Sequence, residues 1–218
     1  RTELCLTSSG ECLDELLRRH VTTTMNQPIP LSILISVFNG EKTLDKCFES
    51  IAKQHFKNFV IVCINDHSTD TSPELITKWQ QVFGEKFTLI ENPTNLGLTR
   101  SLNLGLQHIT TPYTARIDSD DWWHPSKLQK QMAFLENHPE YGVIGSHYQN
   151  VFGEKTKDIH TPETDQEIKK LIFGYNPFGH SAVVFATKLV KTAGGYDESI
   201  YYGQDYELWL RLLPQTKF

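Results

Sequence analysis

The alternation of short apolar runs with amphipathic segments, repeated from residue 30 to residue 121, constrains the fold of this chain more than any other feature. The first run, Leu31–Phe38, is almost continuously apolar, which is typical of a strand covered on both faces in a parallel sheet. Similar runs follow at 59–64, 87–91 and 113–117. Strands that alternate with helices in this way indicate βαβ units joined by right-handed crossovers. We therefore predict an α/β domain with a mostly parallel central sheet flanked by helices.

Helical spacing of apolar residues fills the segments between these runs, whereas the second half of the chain is less regular. The helices predicted up to Asn137 are 43–53, 72–83, 99–108 and 126–137. Beyond it we predict a strand within 142–152, a helix at 165–173, an apolar strand ending at 185, a helix at 188–193 and a last helix from 204. This mixture adds a small antiparallel portion to the central sheet.

The first 29 residues differ in character from the rest. Within them, Glu11–Arg19 has the spacing of a short amphipathic helix and 22–28 is typical of a linker. We interpret 1–29 as an N-terminal arm, either a tag or the remnant of a preceding domain, because the chain starts with Arg and has the pattern of a fragment. Residues 30–218 are predicted to form one domain, with a nucleotide-binding half at about 30–121 and an acceptor-side half at about 122–218.

Composition excludes several classes of protein. The 218 residues carry a net charge of −5 and no block of Lys or Arg, which argues against a nucleic-acid-binding protein. No apolar run approaches the roughly 20 residues that span a bilayer, and no secretory signal peptide is visible. None of the four cysteines forms a Cys-x-x-Cys pair, so a zinc site is not favoured. A reducing, cytoplasmic location is predicted, with peripheral attachment to the inner face of a membrane left open.

Polar turns follow the first four predicted strands, at 36–40, 65–70, 95–100 and 118–121. Parallel strands end at one edge of their sheet, and ligands of such sheets bind beyond that edge. We therefore expect these turns to line one crevice.

Three carboxylates crowd the last of these turns, at Asp118, Asp120 and Asp121. Carboxylates this close repel one another unless a cation neutralises them, and Mg²⁺ or Mn²⁺ takes oxygen ligands and usually completes its shell with substrate phosphates. Capping of the following helix is the alternative, although it explains three acidic residues poorly. The turn therefore indicates a divalent-metal site.

Several motifs together resemble the family 2 inverting glycosyltransferases, which have the Rossmann-like GT-A fold. The motifs are Leu31–Gly40, Ile64–Asp70, Asn95–Asn103, Asp118–Asp121 and Gly203–Arg211. Their order and spacing match the family over about residues 30–213. The resemblance implies a bacterial, polysaccharide-type enzyme that moves a sugar from a nucleotide-diphosphate sugar, typically a UDP-sugar, to a hydroxyl on a glycan or lipid-linked glycan.

The resemblance also assigns roles at the donor site. The nucleotide-binding residues that it implies are Ser36, Phe38, Asn39, Asp66, Arg100, Asp118 and Ser119. Asp66 would accept a hydrogen bond from the base, although an Asx-turn is the structural alternative. Asp118 and Asp120 would form the Asp-x-Asp metal site for Mn²⁺ or Mg²⁺, with Asp118 toward the ribose and Asp120 on the metal.

On the acceptor side, Asp205 falls where the family has its general base. A carboxylate there has to lie within hydrogen-bond reach of the acceptor hydroxyl, whereas capping of the last helix is the alternative. The further candidates for acceptor or diphosphate contacts are His180, Trp122, Trp209 and Asp121. For His180 a structural role is equally compatible with the sequence, and at least one tryptophan is expected in the core.

Two departures from the family pattern leave other functions open. The chain has Asn65 and Gln204 where the family usually has acidic residues. A catalytically inactive sugar- or nucleotide-binding domain of a larger glycan-assembly protein is therefore the alternative function. A nucleotidyltransferase is less compatible, because the turn 39–42 has a single glycine. No Gln-x-x-Arg-Trp signature of processive synthases is present, so a single-addition enzyme is expected.

Overall fold

The computed structural model describes residues 30–218, in which eight strands are flanked by helices. The strands are β1 Leu31–Val37, β2 Phe59–Asn65, β3 Phe87–Glu91, β4 Tyr113–Arg116, β5 Val143–Ile144, β6 Tyr148–Phe152, β7 Lys155–Ile159 and β8 Val184–Ala186. The helices are α1 Leu44–Ala52, α2 Ser72–Phe83, α3 Leu98–His108, α4 Lys127–Asn137, α5 Asp165–Leu171, α6 Thr187–Thr192 and α7 Gln204–Leu212, with 3₁₀ turns at Gly84–Lys86 and His180–Ala182. Within this range no helix is both long and apolar enough to cross a bilayer.

The central sheet has the order β3-β2-β1-β4-β8-β5, and its first four strands are parallel. β8 runs antiparallel to β4 and to β5, and β6 pairs only with β7 in a separate antiparallel hairpin. The predicted α/β architecture, with a mostly parallel sheet and a small antiparallel portion, is confirmed.

Both faces of the sheet are buried, which explains the continuous apolar run of β1. Ile33 and Ile35 belong to a core cluster that includes Phe48 of α1. Leu34, whose side chain points to the opposite face as strand alternation requires, packs in a second cluster with Leu102 of α3. The sheet therefore holds α1, α2 and α4 on one face and α3 and α7 on the other.

The second half departs from the prediction at its hairpin. The single strand predicted within 142–152 is two strands, β5 and β6, and β7 was not predicted. The sequence of β7 is polar, and four of its five residues are exposed, so neither face carries an apolar pattern. The arm, helix and linker predicted within 1–29 lie outside the described residues.

Candidate active site

The four loops that follow β1 to β4 meet at the carboxyl edge of the parallel strands. Two hydrogen bonds connect the loops after β1 and β2. The Oδ1 atom of Asn39 accepts one from the backbone N–H of Thr69 (2.8 Å). The Oγ atom of Ser72 accepts the other from the backbone N–H of Gly40 (2.8 Å). A Cβ atom on Gly40 would lie 3.4 Å from the Oγ atom of Ser119. The first loop therefore packs closely against the acidic turn as well.

Asp66 holds the loop that follows β3. This residue is only 2% exposed, and its Oδ1 atom accepts hydrogen bonds from Asn92 Nδ2 (2.7 Å) and the N–H of Leu96 (2.8 Å). Its Oδ2 atom accepts one from the N–H of Gly97 (2.9 Å). The Asp66 carboxylate therefore organises the neighbouring loop after β3. It does not form the local Asx-turn that was the structural alternative. The hydrogen bond from Asp66 to a nucleobase stays a prediction.

Asn65 has a partner that accounts for the amide at this position. Its Nδ2 atom donates a hydrogen bond to the Oε2 atom of Glu91 (2.7 Å), its paired residue on β3. An aspartate at position 65 would have no proton to donate and would face the carboxylate of Glu91. The negative charge of Glu91 therefore accounts for Asn65 in place of the acidic residue that is usual in the family.

Arg116 lies fully buried at the end of β4 and forms an ion pair with Asp118. The hydroxyl of Ser181 donates a hydrogen bond to Oδ2 of Asp118 (3.0 Å) and accepts one from its backbone N–H (2.9 Å). Burial raises the pKa of Asp118, but the charge of Arg116 and the hydrogen bonds that Ser181 and Arg116 donate to the carboxylate outweigh it, so the pKa is lowered and the carboxylate is ionised near pH 7. The Nε and Nη1 atoms of Arg116 have no partner among residues 30–218.

The acidic turn offers ligands that fit a divalent cation shared with a diphosphate. Asp120 is exposed, and its carboxylate accepts no hydrogen bond from the described residues. Asp121 is also exposed; partial burial of its carboxyl group raises its pKa, and the charges of Asp118 and Asp120 add to the effect. No group of three His, Cys, Asp or Glu side chains in the described part of the chain could hold a metal ion by itself. One or two carboxylates plus substrate phosphates are the usual ligand set of Mg²⁺, so Asp120 fits such an ion.

His180 and Tyr196 lie near both the acidic turn and the start of α7. The Nε2 atom of His180 and the hydroxyl of Tyr196 are 2.9 Å apart. Burial and, next, the charge of Arg116 lower the pKa of His180 to about 4, although Asp118 and Asp205 oppose the shift. Burial raises the pKa of Tyr196. Both side chains are therefore neutral near pH 7, and each lies close enough to Asp118 and Asp205 for their charges to act on its pKa.

Asp205 lies in the first turn of α7 and is 9% exposed. The N-cap of this helix is Gly203, with φ of 74°, and no side chain caps it, so capping does not explain the aspartate. The Oδ2 atom of Asp205 accepts a hydrogen bond from Nδ2 of Asn176 (2.8 Å). The partial positive charge of a helix N-terminus favours a carboxylate at this position.

The remaining predicted residues divide into exposed and buried groups. Phe38 and Trp122 are 50% and 41% exposed, and Ser36 is buried at the end of β1. Arg100 forms an exposed ion pair with Glu198 (3.5 Å), so its predicted contact with the nucleotide stays a prediction. The predicted acceptor contact of Trp209 needs correction, because its side chain is fully buried beside Phe178 and Phe185.

Four residues that shape the site were not predicted: Arg116, Asn176, Ser181 and Tyr196. Arg116 did carry a signal, since it is the single charge in the run 113–117 and lies two residues before Asp118. The others act through contacts between segments far apart in the chain, for which the sequence has no local pattern.

The sequence profile of Glycosyl transferase family 2 matches residues 32–188. The chain is 32% identical over 197 residues to the putative glycosyltransferase EpsE of Bacillus subtilis, covering 88% of this chain and 69% of that protein. It is 33% identical over 188 residues to the amylovoran biosynthesis glycosyltransferase AmsE of Erwinia amylovora, covering 84% and 69%.

Solved structures share the fold at lower identity. S. aureus TarS 1-349 in complex with UDP-GlcNAc superposes with a TM-score of 0.70 at 22% identity, covering 84% of this chain and 53% of that one. The mannosyltransferase PcManGT from Pyrobaculum calidifontis, in complex with GDP-Man and Mn²⁺, gives 0.67 at 14% identity and covers 93% and 60%. The chain thus spans about half the length of the TarS structure. Together with its GT-A architecture, the profile match shows that the chain belongs to glycosyl transferase family 2.

Proposed function

We propose that this protein transfers a hexosyl or N-acetylhexosaminyl group from a UDP-sugar to a hydroxyl of a glycan or lipid-linked glycan, with inversion at the anomeric carbon. The observation that carries the proposal is the arrangement of two carboxylates. Asp120 is exposed at the edge where the four strand-end loops meet, and Asp205 lies at the start of α7, near the His180–Tyr196 pair.

At the donor side, the first two loops would receive the nucleotide. Phe38 is exposed on the loop after β1, where its ring can pack on a base. Asp120 would hold a Mn²⁺ or Mg²⁺ ion, which neutralises charge on the diphosphate of the departing UDP when bound. The structural neighbours in complex with UDP-GlcNAc and with GDP-Man and Mn²⁺ support a nucleotide-sugar donor and a divalent cation.

At the acceptor side, Asp205 would act as the general base. Its Oδ2 atom is occupied by Asn176, and its Oδ1 atom accepts no hydrogen bond from the described residues. The free oxygen can take the proton of an acceptor hydroxyl while the hydroxyl oxygen bonds to the anomeric carbon and the bond from that carbon to the diphosphate breaks. Attack from the face opposite the leaving group inverts the configuration.

The test is UDP release from UDP-GlcNAc, UDP-glucose, UDP-GalNAc and UDP-galactose with Mn²⁺, by wild-type protein and by Asp205→Asn. We expect the variant to lose about 10²–10⁴-fold in turnover, the contribution typical of a general base, and to bind UDP as the wild type does. Asp158→Asn, at an exposed position of the β6–β7 hairpin, is the matched control. Full turnover in Asp205→Asn would refute the role of Asp205, and no release from any donor by the wild type would favour the inactive binding domain.

A further inference from the structure

The loop 172–178 runs beside the first turn of α7 and is attached to it at two points. The hydroxyl of Tyr206 donates a hydrogen bond to the backbone carbonyl of Ile172. Two residues before the end of this loop lies Asn176, whose Nδ2 atom donates a hydrogen bond to Oδ2 of Asp205 (2.8 Å). Two neighbouring residues of α7 therefore hold this loop: Tyr206 binds its backbone carbonyl at Ile172, and the carboxylate of Asp205, the proposed base, binds its side chain at Asn176.

The orientation of the Asn176 amide is fixed by its other end. Its Oδ1 atom accepts a hydrogen bond from the backbone N–H of Phe178 (3.2 Å), which is an Asx-turn across Pro177. Because an N–H can only donate, the oxygen of the amide has to face Phe178 and the NH₂ group has to face Asp205. Pro177 also restricts the backbone of Asn176 to extended conformations, so the turn is held in place by both residues.

We propose that Asn176 is a positioning residue for the general base: its amide holds Oδ2 of Asp205 and thereby presents Oδ1 to the acceptor hydroxyl. This inference rests on the proposed role of Asp205. A donor on one oxygen fixes the rotation of a carboxylate and favours its charged form. It also leaves the other oxygen as the proton acceptor, which Oδ1 can be, since no described residue donates to it.

The groups that face Asp205 do not titrate between about pH 5 and 8. His180 of the 3₁₀ turn has its pKa lowered to about 4 by burial, and burial raises that of Tyr196 on the loop before α7. Farther along α7, Glu207 is paired with Arg211. The nearby groups on each packed segment therefore keep their charge between about pH 5 and 8.

The test uses Asn176→Asp, because aspartate has the shape of asparagine and can still accept from Phe178 N–H. It cannot donate to Asp205 when ionised, and it adds a like charge, which favours the protonated pair. Asn176→Ser is the second variant, since its hydroxyl can keep the turn but is too short to reach Asp205. Asn137→Asp, at the exposed end of α4, is the matched control.

The readouts are the ¹³C titration of the Asp205 carboxyl, assigned with Asp205→Asn, and the pH profile of UDP release from the best UDP-sugar. We expect the titration midpoint to move to higher pH by about one unit or more in Asn176→Asp, with turnover reduced about tenfold below the midpoint and recovered at higher pH. UDP affinity and the urea midpoint should match those of Asn137→Asp.

An unmoved titration midpoint in both Asn176 variants would overturn the inference, and so would an equal loss of turnover at every pH with weaker UDP binding. If Asp205→Asn is inactive and Asn176→Asp behaves as the wild type does, the inference fails alone. If Asp205→Asn keeps full turnover, the inference falls together with the proposed role of Asp205.

Discussion

The two halves of the domain are built differently around the same edge. In residues 30–121, the central strands β1 and β2 have seven residues each and are almost wholly buried, and the loops of this half are tied by side-chain to backbone hydrogen bonds, as at Asp66 and Asn39. In residues 122–218 the strands have two to five residues, one hairpin stands apart from the sheet, and Tyr201 and Tyr202 are exposed before α7.

The donor edge is therefore formed by the ends of the parallel strands, whereas the acceptor side is formed by contacts between separate segments. A loop held by a buried carboxylate, as at Asp66, loses little conformational freedom when a ligand binds, which lowers the entropic cost of binding. Short strands and exposed aromatic residues tolerate substitution. On this account, changes at the donor edge affect folding strongly and changes at the acceptor rim affect it weakly.

The largest expected effect concerns the Arg116–Asp118 pair at the junction of the halves. Asp118→Asn leaves the buried guanidinium without a counter-charge, and breaking a buried pair typically lowers the free energy of unfolding by about 3–5 kcal/mol. We expect the lower end, because the Asp118 side chain is 31% exposed. The double variant Arg116→Met/Asp118→Asn should be more stable than Asp118→Asn alone. Urea unfolding measures this, and strictly additive losses would show that the two charges are not coupled.

The next effect is a dependence of the free energy of unfolding on pH, which we expect from the buried His180. The folded-state pKa of His180, about 4, lies below its ordinary value of 6.5. As pH falls from 6.5 to 4, the unfolded state binds the proton first, so stability is lost at up to about 1.4 kcal/mol per pH unit. We expect His180→Gln to flatten the fall in urea midpoint over this range. An equally steep fall in the variant would mean that other groups cause it.

A smaller effect is expected at the donor edge from Asn65→Asp. The change removes the donor to Glu91 and places two carboxylates opposite each other on β2 and β3, which should lower the free energy of unfolding by about 1 kcal/mol. Glu91→Gln in the same chain should recover most of the loss. Thermal unfolding of the three variants measures it, and a double variant no better than Asn65→Asp would argue against charge as the cause.

The smallest effect is expected at the acceptor rim from Tyr202→Ala. Tyr202 is 86% exposed, so the free energy of unfolding should change by less than about 0.5 kcal/mol, and UDP affinity should stay as in the wild type. Urea unfolding and UDP titration check both. A loss of free energy of unfolding well above about 1 kcal/mol would show that the loop before α7 is packed as firmly as the donor edge. It would contradict the difference that we describe between the two halves.

Much of the fold followed from the sequence because its signals are local. The apolar runs of β1 to β4, the helical spacing of α1 to α4 and the polar turns each lie within one segment of chain, and their order implied the parallel sheet. The same logic placed Asp118–Asp121 at the sheet edge. The polar strand β7 carried no such pattern, because both of its faces are open.

The partners of the site residues could not be predicted in this way. Asp66 is bound by the loop after β3, and Asp205 by a residue 29 positions away. Trp209 has the sequence context of an acceptor-side residue, but helical periodicity turns its ring into the core beside Phe185. Such contacts depend on packing between distant segments of the chain, and the local spacing of residues does not predict them.

The measurement that tests the central claim most directly is calorimetric titration of UDP into the wild-type protein and Asp120→Ala, each with Mn²⁺ and with EDTA. We expect Mn²⁺ to strengthen UDP binding to the wild type, and Asp120→Ala to reduce the affinity measured with Mn²⁺ by at least about tenfold. Asp158→Asn should behave as the wild type does. UDP binding that is indifferent to both the metal and Asp120 would contradict the donor site proposed at this edge of the sheet.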